Sequence, residues 1–422
     1  MGVRWLFGAL VVIHGLFPCS AAGQSVEVFD LQGGFLPSNT VRAICHDSIG
    51  GTWVGTDWGL CHFDGSVWET FQAGGSGLPE NDIRALACDS LGRIWVGLFT
   101  QGVVIKDGNN WTQYMPGSSG LPSDQIRNIV FDHERKAWIC TTNGLAWTDL
   151  VEWRIYNDTD TSYNNLELPG VNIADIAVRN DGLVCIGTLN AGFVYLTDTL
   201  VRTYNTFNDL IPDNTALGVA LDSQGERWTA CPAGALMRYT AGYDDALFFQ
   251  YSTVFSNIPT DALNDVVVDA LDRKIIATQN VGLTIMEPDN STFTTYGTGN
   301  SAWPDNEVLC VTVSPVGEIW AGTGNGGAVR LTGWNSVSAE RVTDAHVQVY
   351  PVPFGAELHL SAPGSGLGSR WVLRDIAGRE VAGGKLLSDD QWLEFGVPLS
   401  PGPYSLTIVG PDRSATILVV HS

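Results

Sequence analysis

Hydrophobic and polar positions alternate along most of this chain in short runs, and the runs return in a fixed order. A first unit opens at Leu36-Pro37 and continues through an apolar run from Val41 to Cys45, a turn at Asp47-Ser48-Ile49-Gly50, a strand-like Trp53-Val54-Gly55-Thr56, a Gly59-Leu60 step and an outer aromatic, Trp68. A second unit repeats it as Leu78-Pro79, Ile83 to Cys88, Asp89 to Gly92, Trp95-Val96-Gly97, Gly102-Val103 and Trp111. A third gives Leu121-Pro122, Ile126 to Ile129, Asp132, Trp138-Ile139-Cys140-Thr141, Gly144-Leu145 and Trp153. Runs this short, bounded by Asp and Gly turns, predict strands joined in an antiparallel meander, four to a unit.

Later copies diverge but keep phase with the opening prolines, Pro37, Pro79, Pro122, Pro169, Pro212, Pro259 and Pro304, spaced 42 to 47 residues apart. Cys185-Ile186-Gly187-Thr188, Trp228-Thr229-Ala230-Cys231, Ile275-Ile276-Ala277-Thr278 and Trp320-Ala321-Gly322-Thr323 stand for the Trp-Val-Gly-Thr element. A period of roughly 40 to 50 residues with short strands in each unit predicts a β-propeller, and seven openings predict seven blades. A lone blade cannot bury both faces of its sheet, so the ring must close. The seventh copy lacks a full outer strand, while Val26 to Asp30 reads as an outer strand with no blade of its own. This N-terminal strand is therefore expected to complete blade seven.

After Val337 the pattern changes. Residues 338–345 read as a polar linker, and residues 346–422 form a new unit of alternating strands separated by Gly and Pro turns, which predicts a small β-sandwich. The fold class is thus all-β: a seven-bladed β-propeller over residues 25–337 followed by a small C-terminal β-sandwich.

Composition narrows the setting. There are 48 glycines, 10% aromatics and only 16% charged residues, and the net charge is −23. Nucleic-acid binding rests on Lys and Arg neutralising phosphates, so nucleic acid is set aside. Residues 1–24 have the form of a secretory signal peptide, with Arg4 before an apolar stretch from Trp5 to Phe17 and a small-residue zone at Ser20-Ala21-Ala22-Gly23-Gln24. Leu16-Phe17-Pro18-Cys19 leaves lipidation open as an alternative. No later run is long and apolar enough to predict a transmembrane segment.

The order of elements in the repeat resembles the two-component regulator propeller repeat of secreted and sensor proteins in Bacteroidetes-type bacteria, over roughly residues 26–337. The tail resembles the C-terminal type A sorting domain of the type IX secretion system. The motifs are Tyr350-Pro351-Val352-Pro353-Phe354, Asp375-Ile376-Ala377-Gly378-Arg379-Glu380-Val381 and Gly402-Pro403-Tyr404-Ser405-Leu406-Thr407-Ile408. Val352 stands where that family usually has Asn, and the chain ends without its customary basic residue. The resemblance implies a partner, the type IX machinery, acting on residues 346–422. It also implies a route through the periplasm to the cell surface or the medium.

Candidate chemistry is sparse. Cys45, Cys61, Cys88, Cys140, Cys185, Cys231 and Cys310 lack paired spacing and read as small core residues. His46, His62 and His133 fall on different elements and make no ligand cluster. The recurring Asp-x-x-Gly segments look like calcium loops, but Asp accepting turn amides and Gly supplying positive φ explain them more simply. Trp53, Trp95, Trp138, Trp228 and Trp320 read as packing between blades. Neither a catalytic constellation, a cofactor nor a metal is expected.

One end of the ring is different. There the loops entering the inner strands and those joining strands two and three converge, bringing Asn39, Arg42 and Trp58 of the first unit beside Asn81, Arg84 and Phe99 of the second and Arg127 of the third. Three arginines in register in an acidic chain can hold a carboxylate, a sulfate or a sugar, with Trp58 and Phe99 as stacking faces. Alternatively, each arginine belongs to the repeat and pairs with a neighbouring turn carboxylate. Three functions follow: a non-catalytic recognition or adhesion propeller at the bacterial surface; an extracellular sensor module; and a carbohydrate-active or lactone-cleaving propeller enzyme. The first is preferred, with a glycan or small anion as its ligand.

Overall fold

The computed structural model describes residues 24–157, 168, 170, 172–179, 181–197, 201–207, 211–240 and 247–333, and beyond these the strands of the C-terminal region. The chain is all-β, and the repeats build a seven-bladed propeller. Blade 1 runs outward from the axis through Val41–His46, Thr52–Thr56, Gly59–Phe63 and Trp68–Phe71. Blades 2 to 6 repeat this antiparallel order. Blade 7 takes its inner three strands from Val308–Val313, Ile319–Thr323 and Ala328–Thr332, and its outer strand from Ser25–Phe29, with Val28 opposite Val329. The N-terminal strand closes the ring as the orphan run predicts.

The second strand of each blade is buried along its whole length, because a neighbouring blade covers each face. That is why it reads as a continuous apolar run rather than an alternation. The core is divided among the blade interfaces: Trp53 and Leu60 of blade 1 meet Ile83, Leu86 and Val96 of blade 2, and Phe29 and Trp320 of blade 7 meet Val41, Val54 and Phe63 of blade 1. Gly55 is small for the same reason, since a Cβ there would lie 2.5 Å from Ile83 Cγ2.

The Asp-x-x-Gly turns join this core. Asp89 Oδ1 accepts the Leu91 and Arg93 amides, each at 2.9 Å, while its Oδ2 accepts the Trp95 indole N–H at 3.1 Å. Asp47, Asp132 and Asp222 accept the indoles of Trp53, Trp138 and Trp228 in the same way. Each carboxylate thus fixes a hairpin and satisfies the buried polar atom of the tryptophan that packs between blades.

Beyond the propeller, Gln348–Tyr350, Glu357–Ser361 and Asp390–Glu394 form a three-stranded antiparallel sheet. Glu380–Lys385, Arg370–Arg374, Gly402–Val409 and Ser414–His421 form a four-stranded one. These are the two sheets a small sandwich requires. The predicted signal segment up to residue 23, the linker at 338–345, and the Pro351 to Phe354 and Asp375 to Arg379 parts of the tail motifs lie outside the described residues.

Candidate functional site

The inner strand of nearly every blade carries a β-bulge at its second residue. The register shifts between Val41 and Ala43, Ile83 and Ala85, and Ile126 and Asn128 in the first three blades. It does so again between Ile173 and Asp175, Leu263 and Asp265, and Val308 and Cys310. In blade 5 the corresponding residue is Leu217, whose amide bonds the Ala230 carbonyl at 2.9 Å. A bulged residue has no partner across the ladder, and its side chain is re-aimed.

Here the bulges of six blades turn one side chain each into the mouth of the central channel, where these six and Leu217 of blade 5 line a single cavity of about 310 Å³. Blades 1, 2 and 3 contribute Arg42, Arg84 and Arg127; blades 4 to 7 contribute Ala174, Leu217, Asn264 and Leu309. One arc of the mouth is therefore cationic and the other mostly apolar.

A second ring of positions follows strand two. Its members are equated by a shared hydrogen bond: the amides of Asp57, Phe99, Thr142 and Leu189 bond the carbonyls of Thr40, Asp82, Gln125 and Asn172. Phe99, Thr142 and Leu189 line the cavity. Trp58 lies one residue beyond the position equivalent to Phe99; it is 60% exposed and is not part of the lining. The repeat's one-residue difference here, Asp57-Trp58 against Phe99-Thr100, separates two aromatics that the sequence places together.

Asn39 and Asn81 serve the fold. The Asn39 Oδ1 accepts the Leu31 amide at 2.8 Å and that of Asn81 accepts the Ala73 amide at 2.7 Å. Asn214, Asp261 and Asn306, two residues past their own opening prolines, do the same to Thr206, Thr253 and Thr298. This position ties each blade's opening to the connection that precedes it.

The arginine arc shares one carboxylate. Asp82 Oδ2 accepts from Arg84 Nη2 at 2.7 Å, and Asp82 Oδ1 lies 3.9 Å from Arg42 Nε. Arg84 also lies over the Phe99 ring at 4.3 Å. The Nε atoms of Arg42 and Arg84 are buried with no hydrogen-bond acceptor. Arg127 is exposed and has no ion pair among the described residues. Partial desolvation of its guanidinium, and then the charge of Arg84, lower its pKa. Two guanidinium groups thus share one carboxylate, and the third has no ion pair among the described residues, so cationic donors outnumber carboxylates at the bulge position itself.

One residue deeper, the next ring holds Asn128, Asp175 and Asp265, which the sequence reading did not single out. Asp175 Oδ1 accepts from Asn128 Nδ2 of blade 3, and its Oδ2 accepts the Val219 amide of blade 5 at 2.6 Å. Asp265 Oδ2 accepts the Val311 amide of blade 7 at 3.0 Å. Burial raises Asp175 to about 6; burial, then the charge of Asp175, raises Asp265 to about 7. The signal available was a carboxylate at the place where units one and two have Ala43 and Ala85.

Elsewhere the histidines stay dispersed. His62 Nε2 lies 3.2 Å from Asp47 Oδ2 and its ring stacks on Trp53 at 4.2 Å, while burial holds His46 down at about 4. Among the described residues no group of His, Cys, Asp or Glu could hold a metal ion. The seven described cysteines are free, and burial raises the thiols of Cys140, Cys185 and Cys310. A second cavity, of about 430 Å³, lies between blades 3 and 4 beside Trp138, Trp147 and Tyr156. Lys136 Nζ already lies 4.4 Å from the centre of the Trp147 ring, and Trp138 stacks on Tyr156.

Residues 36–58 and 77–100 match the family model of the two component regulator propeller. The match falls on the first and second units and covers their opening proline, inner strand and second strand. No curated protein matches the sequence. Among solved structures, an extracellular domain from B. thetaiotaomicron assigned to a hybrid two component system is similar at 18% identity and a TM-score of 0.64, covering 95% of this chain and 57% of that one. PorZ of Porphyromonas gingivalis, a bacterial surface component of the type-IX secretion system, is similar at 18% identity and a TM-score of 0.56, covering 91% and 59%. Virginiamycin B lyase from Staphylococcus aureus is similar at 12% identity and a TM-score of 0.57, covering 73% and 99%. The chain spans a little under three fifths of the first two structures. At these identities the likeness is one of fold, and propellers of one fold serve different chemistries.

Proposed function

We propose that this chain is an exported, non-catalytic propeller that recognises an anionic or carbohydrate ligand at the bacterial cell surface. The observation that carries the reading is the channel mouth, where bulges aim Arg42, Arg84 and Arg127 into one cavity and Asp82 pairs with the first two of them. Phe99 supplies an aromatic wall beside them. Such donors hold carboxylate and sulfate groups through paired N–H bonds. Residues 1–24 act as the signal peptide, and residues 346–422 act as the sorting domain that engages the type IX machinery. The likeness of fold to an extracellular domain and to a surface secretion component is in keeping with this location.

A panel of sulfated, uronic-acid and neutral oligosaccharides, titrated into the wild-type chain and into Arg84→Ala and Arg127→Ala, tests the recognition reading. A charge-assisted contact is worth roughly 1.5 to 3 kcal/mol, so each loss weakens binding about tenfold or more. Affinity that changes only with the folded fraction overturns it. For the route, a chain truncated after Ser338 is expected to accumulate in the periplasm of a type IX-competent host. Normal surface levels of that chain overturn the sorting assignment.

A further inference from the structure

The channel mouth is two-sided in a way that narrows its ligand. Its cationic arc belongs to blades 1 to 3, whereas on the rest of the rim Leu217 of blade 5 and Leu309 of blade 7 hold the same position on either side of Asn264, with Leu189 of blade 4 beside Leu217 in the second ring. These three leucines are only half-buried. A repeat that served structure alone could place any polar residue there, since Asn264 does so in blade 6 and is satisfied by the Val308 carbonyl and Gln279. Half-buried leucines facing a channel leave apolar surface in water that a bound apolar group would cover.

From this division of the rim we infer that the cavity binds a small amphipathic anion, with a carboxylate or sulfate head against Arg84 and Arg127 and an apolar body along Leu189, Leu217 and Leu309. The inference rests on the recognition reading above and adds the apolar half of the ligand. Arg127 is the head's first contact, because it is exposed and has no ion pair among the described residues. The cavity of about 310 Å³ suits one compact head with a short chain or ring, and excludes burial of a long polymer.

The test compares three probes on the full chain by calorimetry: sodium octanoate, sodium acetate and inorganic sulfate. Each buried methylene strengthens binding about fourfold, so octanoate is expected to bind at least about tenfold tighter than acetate even if only two or three methylenes are covered. Arg127→Leu, a residue the same position already carries in blades 5 and 7, should weaken all three probes about tenfold. Leu217→Asn with Leu309→Asn, which copies blade 6, should bring octanoate most of the way down toward the acetate level, Leu189 remaining, and leave acetate and sulfate unchanged. Equal binding of octanoate and acetate, with both lost in Arg127→Leu, overturns the amphipathic assignment while sparing the anion site. Failure of all three probes to bind the wild-type chain overturns both. Thermal melts of each variant identify any change that comes from folding.

Discussion

The Asp265 carboxylate of blade 6 accepts the amide N–H of Val311 in blade 7 at 3.0 Å, so a side chain inside the ring is bonded to the backbone of its neighbour. Asp175 does the same to Val219. Both carboxyls titrate high, and that gives the ring a definite response to pH. Asp265 titrates near 7 when folded, against 3.8 for an unperturbed carboxyl, so the fold binds its proton more tightly than the unfolded chain does. Its contribution to stability is full below about 4 and is lost as the pH rises through 7. Asp265→Asn removes the titrating group; its Oδ1 can keep the Val266 amide while its Nδ2 cannot accept from Val311, so the variant is expected to carry a loss of stability that does not vary with pH. Between pH 5 and 8 the melting temperature of the wild-type chain should fall relative to that of Asp265→Asn. Parallel curves would remove the carboxyl as the cause.

Ring closure predicts cooperative loss. Phe29, on the N-terminal strand, stacks on Trp320 with centroids 5.5 Å apart and planes inclined by 10°, and it packs on Phe63 and Trp68 of blade 1. Phe29→Ala should cost about 3 to 5 kcal/mol, as for other buried aromatics. Deleting residues 25–29 should lower the melting temperature of the propeller in one transition. Two separate transitions, with blade 7 melting first, would show that the strand closes only its own blade.

The repeat was legible because it is written in residues that the geometry cannot do without. Pro37 and its counterparts gave the phase, the buried second strands gave the apolar runs, and Val26 to Asp30 announced the closing strand by lacking a blade. The arginine arc was visible as three residues in register. What aims it was not: a bulge leaves no mark in the sequence when its position is filled by Arg, Ala, Leu or Asn alike. Trp58 and Phe99 look equivalent until the hydrogen bonds to Thr40 and Asp82 put Asp57, not Trp58, opposite Phe99. The bonds across blades made by Asp175 and Asp265 were hidden for a different reason, since their partners are backbone amides 44 and 46 residues away.

The turn carboxylates make a prediction that separates structure from metal binding. Asp89 holds the Trp95 indole, the Arg93 guanidinium at 2.6 Å and two turn amides, so Asp89→Ala orphans one buried donor, the indole N–H, and three part-buried ones at once. Each such donor costs about 1 to 3 kcal/mol, and a loss of about 3 kcal/mol is expected in a denaturant melt. Calcium or a chelator should leave the wild-type melting temperature unchanged. A calcium-dependent rise of several degrees would make these turns ion sites.

Asp82 gives the sharpest test of the mouth, because its removal should improve function. It lies between Arg42 and Arg84, 25% exposed, and occupies donors that an anionic ligand would use. If the arginines exist to hold Asp82, Asp82→Asn costs stability and creates no affinity. If they exist to hold a ligand, the same change removes a competing negative charge a few ångströms from the bound head. Sulfate should then bind roughly tenfold tighter, as expected for one unit charge in partly screened surroundings. The loss of stability should stay within about 1 kcal/mol, the usual scale for a partly exposed pair. The gain should shrink as salt is raised toward 1 M, where screening acts over about 3 Å. Calorimetry of Asp82→Asn at low and high ionic strength reads both effects; an affinity that falls or stays level at low salt means that the guanidinium groups do not contact the anion.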